Sequence, residues 1–157
     1  MADSKQMPVT KKRPPAKRTN LGAQLKPFAE QGELRLQQCS SCQQFSYPPR
    51  EVCGHCLSGD LSWQVCPAEG QVLARVDLHN SFEPFYAEQL PWVLLSIKLD
   101  AGPVVYAHSA SHAGLENSGS EVEALEIESI ANSGDRVELS LQLDEAEAPV
   151  FVAEPLK

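Results

Sequence analysis

Two cysteine pairs, Cys39-Ser40-Ser41-Cys42 and Cys53-Gly54-His55-Cys56, stand ten residues apart in a chain of 157. A Cys-x2-Cys turn aims two sulfur atoms at one point, and two such turns in succession supply the four corners of a tetrahedral metal site. The pattern dictates a local fold. A module of about thirty residues has too little apolar area to fold unaided, so ligation must supply the missing energy. The pattern also limits the chemistry, because four protein ligands leave zinc no open position for a substrate or an activated water. Structural Zn2+ is the favoured ion. Iron in the same thiolate cage, with electron transfer as its function, is the alternative.

The paired cysteines read as ligands rather than disulfides if the chain resides where thiols stay reduced. The sequence points that way. No apolar run approaches the ~18–20 residues needed to cross a bilayer. The first residues lack the apolar core of a secretory signal, and Asp3 with several prolines argues against an amphipathic transit helix. The expected location is the cytoplasm. The net charge of −8 is unevenly distributed: residues 1–30 hold seven of the thirteen Lys and Arg but only two acids, Asp3 and Glu30. The remaining 127 residues carry six basic and nineteen acidic groups, a balance of −13.

Residues 1–20 are basic, polar and proline-containing, and lack the apolar content to offset ordering entropy, so a disordered tail is expected. Residues 21–66 read as a short helical lead, packed through Leu21, Leu25 and Phe28, followed by the metal module. Pro27 fits a helix only in its first turn. Glu33–Gln37 alternates polar and apolar as a half-buried strand does, and Leu61, Trp63 and Val65 alternate again. Residues 67–157 read as short strands: Val72, Ala74, Val76 and Leu78; the apolar run Trp92–Leu99; Val104–His108; the period-2 segment Arg136–Asp144; and Pro149–Ala153. Asp100–Pro103 and Asn132–Asp135 carry turn chemistry, and residues 109–121 read as a loop. Five such strands with little helix suggest a small closed or partly open barrel.

The order GELRLQQC, knuckle, Tyr47-Pro48-Pro49-Arg50, second knuckle, LSWQV, Gly70, LPWVLLSIKLD and Gly134-Asp135-Arg136-Val137 resembles a known family. It is similar, over about residues 22–155, to the bacterial and archaeal zinc-ribbon plus OB-fold proteins catalogued as domain of unknown function 35. The resemblance implies a mainly β chain with a rubredoxin-like zinc ribbon and a five-stranded OB-fold barrel. It also implies a non-catalytic accessory subunit that joins a thiolase-fold enzyme in a hetero-oligomer and shapes or bridges an acyl-CoA site. The nucleophile would then belong to the partner. Residues 108–130 are longer and richer in Ser and Glu than the family's usual link.

The candidate residues follow. Cys39, Cys42, Cys53 and Cys56 are the metal ligands. Arg50, Phe82, Phe85 and Tyr86 are candidate contacts to acyl-CoA or to the partner, the three aromatics lying in a loop where they either line a channel or plug the barrel's end. His55 reads as an exposed turn residue and Cys66 as a small buried one. His79, His108 and His112 read as separate surface histidines, so no complete catalytic set is expected. Trp63 and Trp92 read as packing residues. Nucleic-acid binding is the alternative function, since ribbons and OB-folds both serve it. It draws affinity from Lys and Arg, which the acidic body lacks.

Overall fold

The structure, a computed structural model, describes residues 19–110 and 130–156. Most of the expected basic tail, His112 and nearly all of the 109–121 loop lie outside those residues.

The helical lead is two short helices, α1 (Asn20–Ala23) and α2 (Lys26–Glu30). Thr19 caps the first by accepting from the Gly22 N–H at 3.0 Å, as hydroxyl side chains do at helix starts. Pro27 sits in the first turn of α2, the one helical location where its missing N–H costs nothing. Leu25 and Ala29 are buried against the rest of the molecule, with Phe28 packed beside them.

A three-stranded antiparallel sheet follows, β1 (Arg35–Cys39), β2 (Phe45–Ser46) and β3 (Leu61–Val65), in the order β2-β1-β3. Five further strands close into a barrel: β4 (Glu69–Leu78), β5 (Trp92–Leu99), β6 (Val104–Ser109), β7 (Arg136–Leu143) and β8 (Pro149–Pro155). Their order around the barrel is β4-β5-β6-β8-β7, with β7 pairing back onto β4. Only β6 and β8 run parallel; every other pair is antiparallel. Numbered within the barrel this is 1-2-3-5-4-1, the Greek-key closure of an OB-fold.

Alternation decides what fills the barrel. Val93, Leu95, Ile97 and Leu99 of β5 point inward with Val105 and Ala107 of β6 and Val137, Leu139 and Leu141 of β7. One apolar cluster joins these to Leu25, Leu34 and Leu36 of the lead and first strand, so the metal module packs continuously onto the barrel. Trp63 fastens the lead to β3: its ring lies 5.6 Å from that of Phe28, and its indole N–H donates to Gln24 Oε1 at 2.9 Å.

Strand β4 departs from the sequence expectation. Its alternating Val72, Ala74, Val76 and Leu78 predict one buried face, but a bulge at Leu73 breaks the register between Val72 and Ala74. Such an extra residue reverses the facing of everything beyond it. Beyond the bulge, Arg75 and Asp77 pair with the inward-facing Leu95 and Val93. Their charges meet each other at 2.9 Å. Val76 and Leu78 are turned outward and exposed.

Gly70, which opens β4, is required by proximity. A methyl group there would stand 2.7 Å from the Lys98 carbonyl oxygen and 3.2 Å from Leu99 Cα. Both are backbone atoms of the paired strand and cannot swing aside. Gly70→Ala is therefore expected to lower unfolding free energy by about 1–3 kcal/mol, the usual cost of overpacking. Gly59→Ala, with nothing within 4 Å of the new methyl, should change it by less than about 0.5 kcal/mol. Urea midpoints at unchanged slope read both.

Candidate metal centre

Two loops with the same backbone construction hold the four cysteines. In the first, the Gln43 N–H donates to the Cys39 carbonyl at 2.8 Å, and in the second the Leu57 N–H donates to the Cys53 carbonyl at 3.0 Å. Each loop then closes from the other side: the Cys39 N–H donates to Gln44 O at 3.1 Å, and the Cys53 N–H to Ser58 O at 2.8 Å. The residue after each second cysteine turns left-handed, Gln43 at φ 59° and Leu57 at φ 62°. Glycine occupies such a position most easily. The sequence offers Gln and Leu instead, so the knuckle geometry is imposed by the sulfur cage.

The repetition extends to the sulfur atoms. Cys39 Sγ receives the N–H groups of Cys42 and Ser41, and Cys53 Sγ those of Cys56 and His55. The Gln44 N–H reaches Cys42 and the Ser58 N–H reaches Cys56. These donors favour the thiolate form. The Cys42 N–H, with that of Ser41 and the neighbouring thiols, holds Cys39 down to about 6 from the ordinary 9.0. Cys53 is also lowered, chiefly by the Cys56 N–H, whereas at Cys42 and Cys56 burial and the neighbouring thiols outweigh the single N–H donor and push the thiol up.

The four Sγ atoms lie within 4.8 Å of one another. Cys39 and Cys56 stand 3.6 Å apart, Cys42 and Cys53 3.7 Å. A tetrahedron with Zn–S bonds of ~2.3 Å has an edge of about 3.8 Å, whereas a disulfide would need about 2.05 Å. The cage thus fits a tetrathiolate zinc ion, which Cys39, Cys42, Cys53 and Cys56 would hold. Cys39 and Cys53 are buried and Cys56 is exposed, so the ion would sit at the tip of the sheet. Its role there is to brace the fold.

The remaining candidates divide. His55 is an exposed turn residue, as expected. Cys66 is buried, its thiol pushed up to about 11 by burial and donating weakly to the Pro67 carbonyl. That is a small apolar residue, not an activated nucleophile. His79 is exposed, but His108 is not a free surface histidine: its Nδ1 accepts from the Trp92 indole N–H at 2.9 Å. The expected aromatic loop contains a one-turn helix, α3 (Pro84–Ala87). It presses Phe85 and Tyr86 against Trp92, with ring centroids 5.0–6.5 Å apart. Phe82 alone is left wholly in solvent.

Arg50 follows the Tyr-Pro-Pro run, and its backbone N–H donates to Gln37 Oε1 at 2.8 Å. Gln37 is buried in β1, a positioning role that strand alternation gave no reason to expect. A groove of about 230 Å³ opens where the metal module meets the β5–β6 turn, lined by Phe45, Ser46, Tyr47, Arg50, Gly54 and Pro103 among others. Arg136 and Lys98, the other cations near the barrel turns, are already committed. Arg136 grips Asp100 at 2.6 Å and Glu69 at 3.0 Å, and Lys98 donates to the Gly102 carbonyl.

Comparison with known proteins agrees with this description. Residues 28–62 match the family described as ChsH2, rubredoxin-like zinc ribbon domain. A solved chain described as the Ltp2-ChsH2(DUF35) aldolase is similar in fold at a TM-score of 0.64 and 23% identity. The likeness covers 90% of this chain and 98% of that one. No curated protein matches the sequence. The ribbon match and the fold likeness bear out the resemblance to zinc-ribbon proteins of domain of unknown function 35. No helix among the described residues is long and apolar enough to cross a membrane.

Elemental analysis is expected to find one zinc per chain, and a strong chelator should abolish the amide protection of β1–β3 and lower the melting temperature. Cys39→Ser or Cys53→Ser should weaken zinc by more than the roughly 10–100-fold typical of losing an outer-shell partner. Acid should release the ion. Protons compete with the ion for all four sulfur atoms, so zinc affinity should fall as pH is lowered. A melting temperature indifferent to chelation at neutral pH would refute the assignment.

Proposed function

We propose that this chain is a non-catalytic subunit of a thiolase-like, acyl-CoA-processing complex, in which it shapes or bridges the acyl-CoA site. One observation carries the reading: the fold likeness, over nearly the whole of both chains, to a chain described as the Ltp2-ChsH2(DUF35) aldolase. The ribbon match, made on sequence, supports it independently. The chain's own surface is consistent with a docking role. The outer face of β4, β5 and β6 carries Val76, Leu94, Val104 and Tyr106 in neighbouring registers. Tyr106 is 66% exposed, Val76 48% and Val104 40%. Exposed apolar groups gathered on one face are the usual sign of a protein partner. Phe82 stands ready as a further contact. The reacting cysteine would be the partner's, and the complex would act in the cytoplasm.

The nucleic-acid alternative gains nothing from the described residues. Of their six Lys and Arg side chains, five are taken by a carboxylate or a carbonyl, leaving little to neutralise a phosphate backbone.

Affinity-tagged chain recovered from its native host should carry a thiolase-fold subunit in fixed proportion, identified by mass spectrometry. Val76→Asp combined with Tyr106→Ala should reduce that recovery at least about tenfold, the effect of removing a hot-spot contact, with zinc content unchanged. Recovery of nucleic acid or of no thiolase-fold protein would refute the proposal.

A further inference from the structure

Among the described residues, Arg50 is the one Lys or Arg whose charged group has no acceptor. Lys26 reaches Glu147, Arg35 reaches Glu33, Arg75 reaches Asp77, Lys98 reaches Gly102 O, and Arg136 reaches Asp100 and Glu69. Arg50 is exposed, so in a body of charge −13 its guanidinium is left to water rather than to a carboxylate.

Arg50 is nonetheless held in place. Pro48 and Pro49 restrict the backbone before it, and the buried Gln37 side chain accepts its N–H. Its guanidinium lies over the second knuckle at Gly54, where a methyl group would collide with Nη1. Glycine therefore provides the space that the guanidinium occupies. A second donor lies beneath the wall of the same groove. Ser46 Oγ is a buried side-chain oxygen with no hydrogen-bond partner, and Ser46 lines the groove with Arg50. A buried hydroxyl left without a partner is rare. A planar fork of donors beside an unsatisfied hydroxyl suits an oxyanion. Phe45, Tyr47 and Pro103 add apolar wall.

We propose that the groove between the metal module and the β5–β6 turn is a single-phosphate pocket, with Arg50 as its charge and Ser46 as its second donor. Among the described residues one cation is free, which suits a single phosphate group, and the acidic body opposes a whole polyphosphate. The phosphate's source, the phosphorylated end of an acyl-CoA, rests on the function proposed above; the pocket itself does not. The competing role for Arg50 is to offset the two negative charges that four thiolates leave on a bound Zn2+.

The test is a titration of the full, zinc-loaded chain with inorganic phosphate, coenzyme A, pantetheine and sodium chloride at matched ionic strength, followed by backbone and Arg side-chain NMR. Saturable shifts at Ser46, Arg50 and Gly54 with phosphate and coenzyme A, absent with pantetheine and chloride, are expected. Arg50→Ala should weaken both at least about tenfold, as loss of a charge-assisted contact does, while Arg50→Lys retains part of the affinity. Gly54→Ala keeps the charge but displaces it, and should also weaken binding with zinc retained. Coenzyme A binding more tightly than phosphate supports its assignment as the source, whereas equal affinities support the pocket and remove that source. No saturable shift, or an Arg50→Ala variant that loses zinc affinity but binds phosphate as before, overturns the proposal. Neither result depends on whether a thiolase-fold partner is recovered.

Discussion

Four thiolates gathered within 4.8 Å repel one another, and at such distances the repulsion is large unless a cation stands between them. A divalent ion at the centre converts that repulsion into the strongest local constraint in the molecule. Both knuckles are shaped around it. Their backbone N–H groups converge on sulfur, and Gln43 and Leu57 accept left-handed dihedrals that neither side chain favours. From Cys39 the constraint passes into β1, whose Leu36 is wholly buried and joins the core shared with the barrel. From Cys53 it passes to Gly54 and the guanidinium lying on it. Metal, sheet and groove are thus mechanically one unit.

The barrel depends on a different device. Closure around β4-β5-β6-β8-β7 leaves no free edge, but a strand of ten residues must bend to take part. The bulge at Leu73 lets it bend. Its consequence reaches the surface: the inward face passes to Arg75 and Asp77, and apolar side chains meant by simple alternation for the core are delivered to solvent. Val76, the β4 member of the exposed face that the proposed function uses, is therefore a by-product of closing the barrel.

Much of this was legible in the residues. The ligand set followed from spacing alone, since Cys-x2-Cys constrains both sulfur atoms to one side of a turn. Strand β7 followed from strict alternation, which its burial obeys through Leu141. Pro27 located the start of α2. Less was legible at the aromatic loop, because Phe82, Phe85 and Tyr86 are chemically alike in sequence. One turn of helix around Pro84 separates them, burying Phe85 while Phe82 stays in water. Gln37 and His108 looked like ordinary surface residues, and each turns out to be one half of a hydrogen bond whose other half is distant in the chain.

The sequence by itself determined the clustering of the four cysteines, the strand-rich character and the acidic body, because these depend on local spacing, period and composition. Tertiary structure alone decided which charges are spent and which remain. Ion pairs form between residues as far apart as Lys26 and Glu147, and no local pattern encodes such a distance. That is why Arg50, one cation among thirteen in the sequence, emerges as free only once the fold has paired its neighbours.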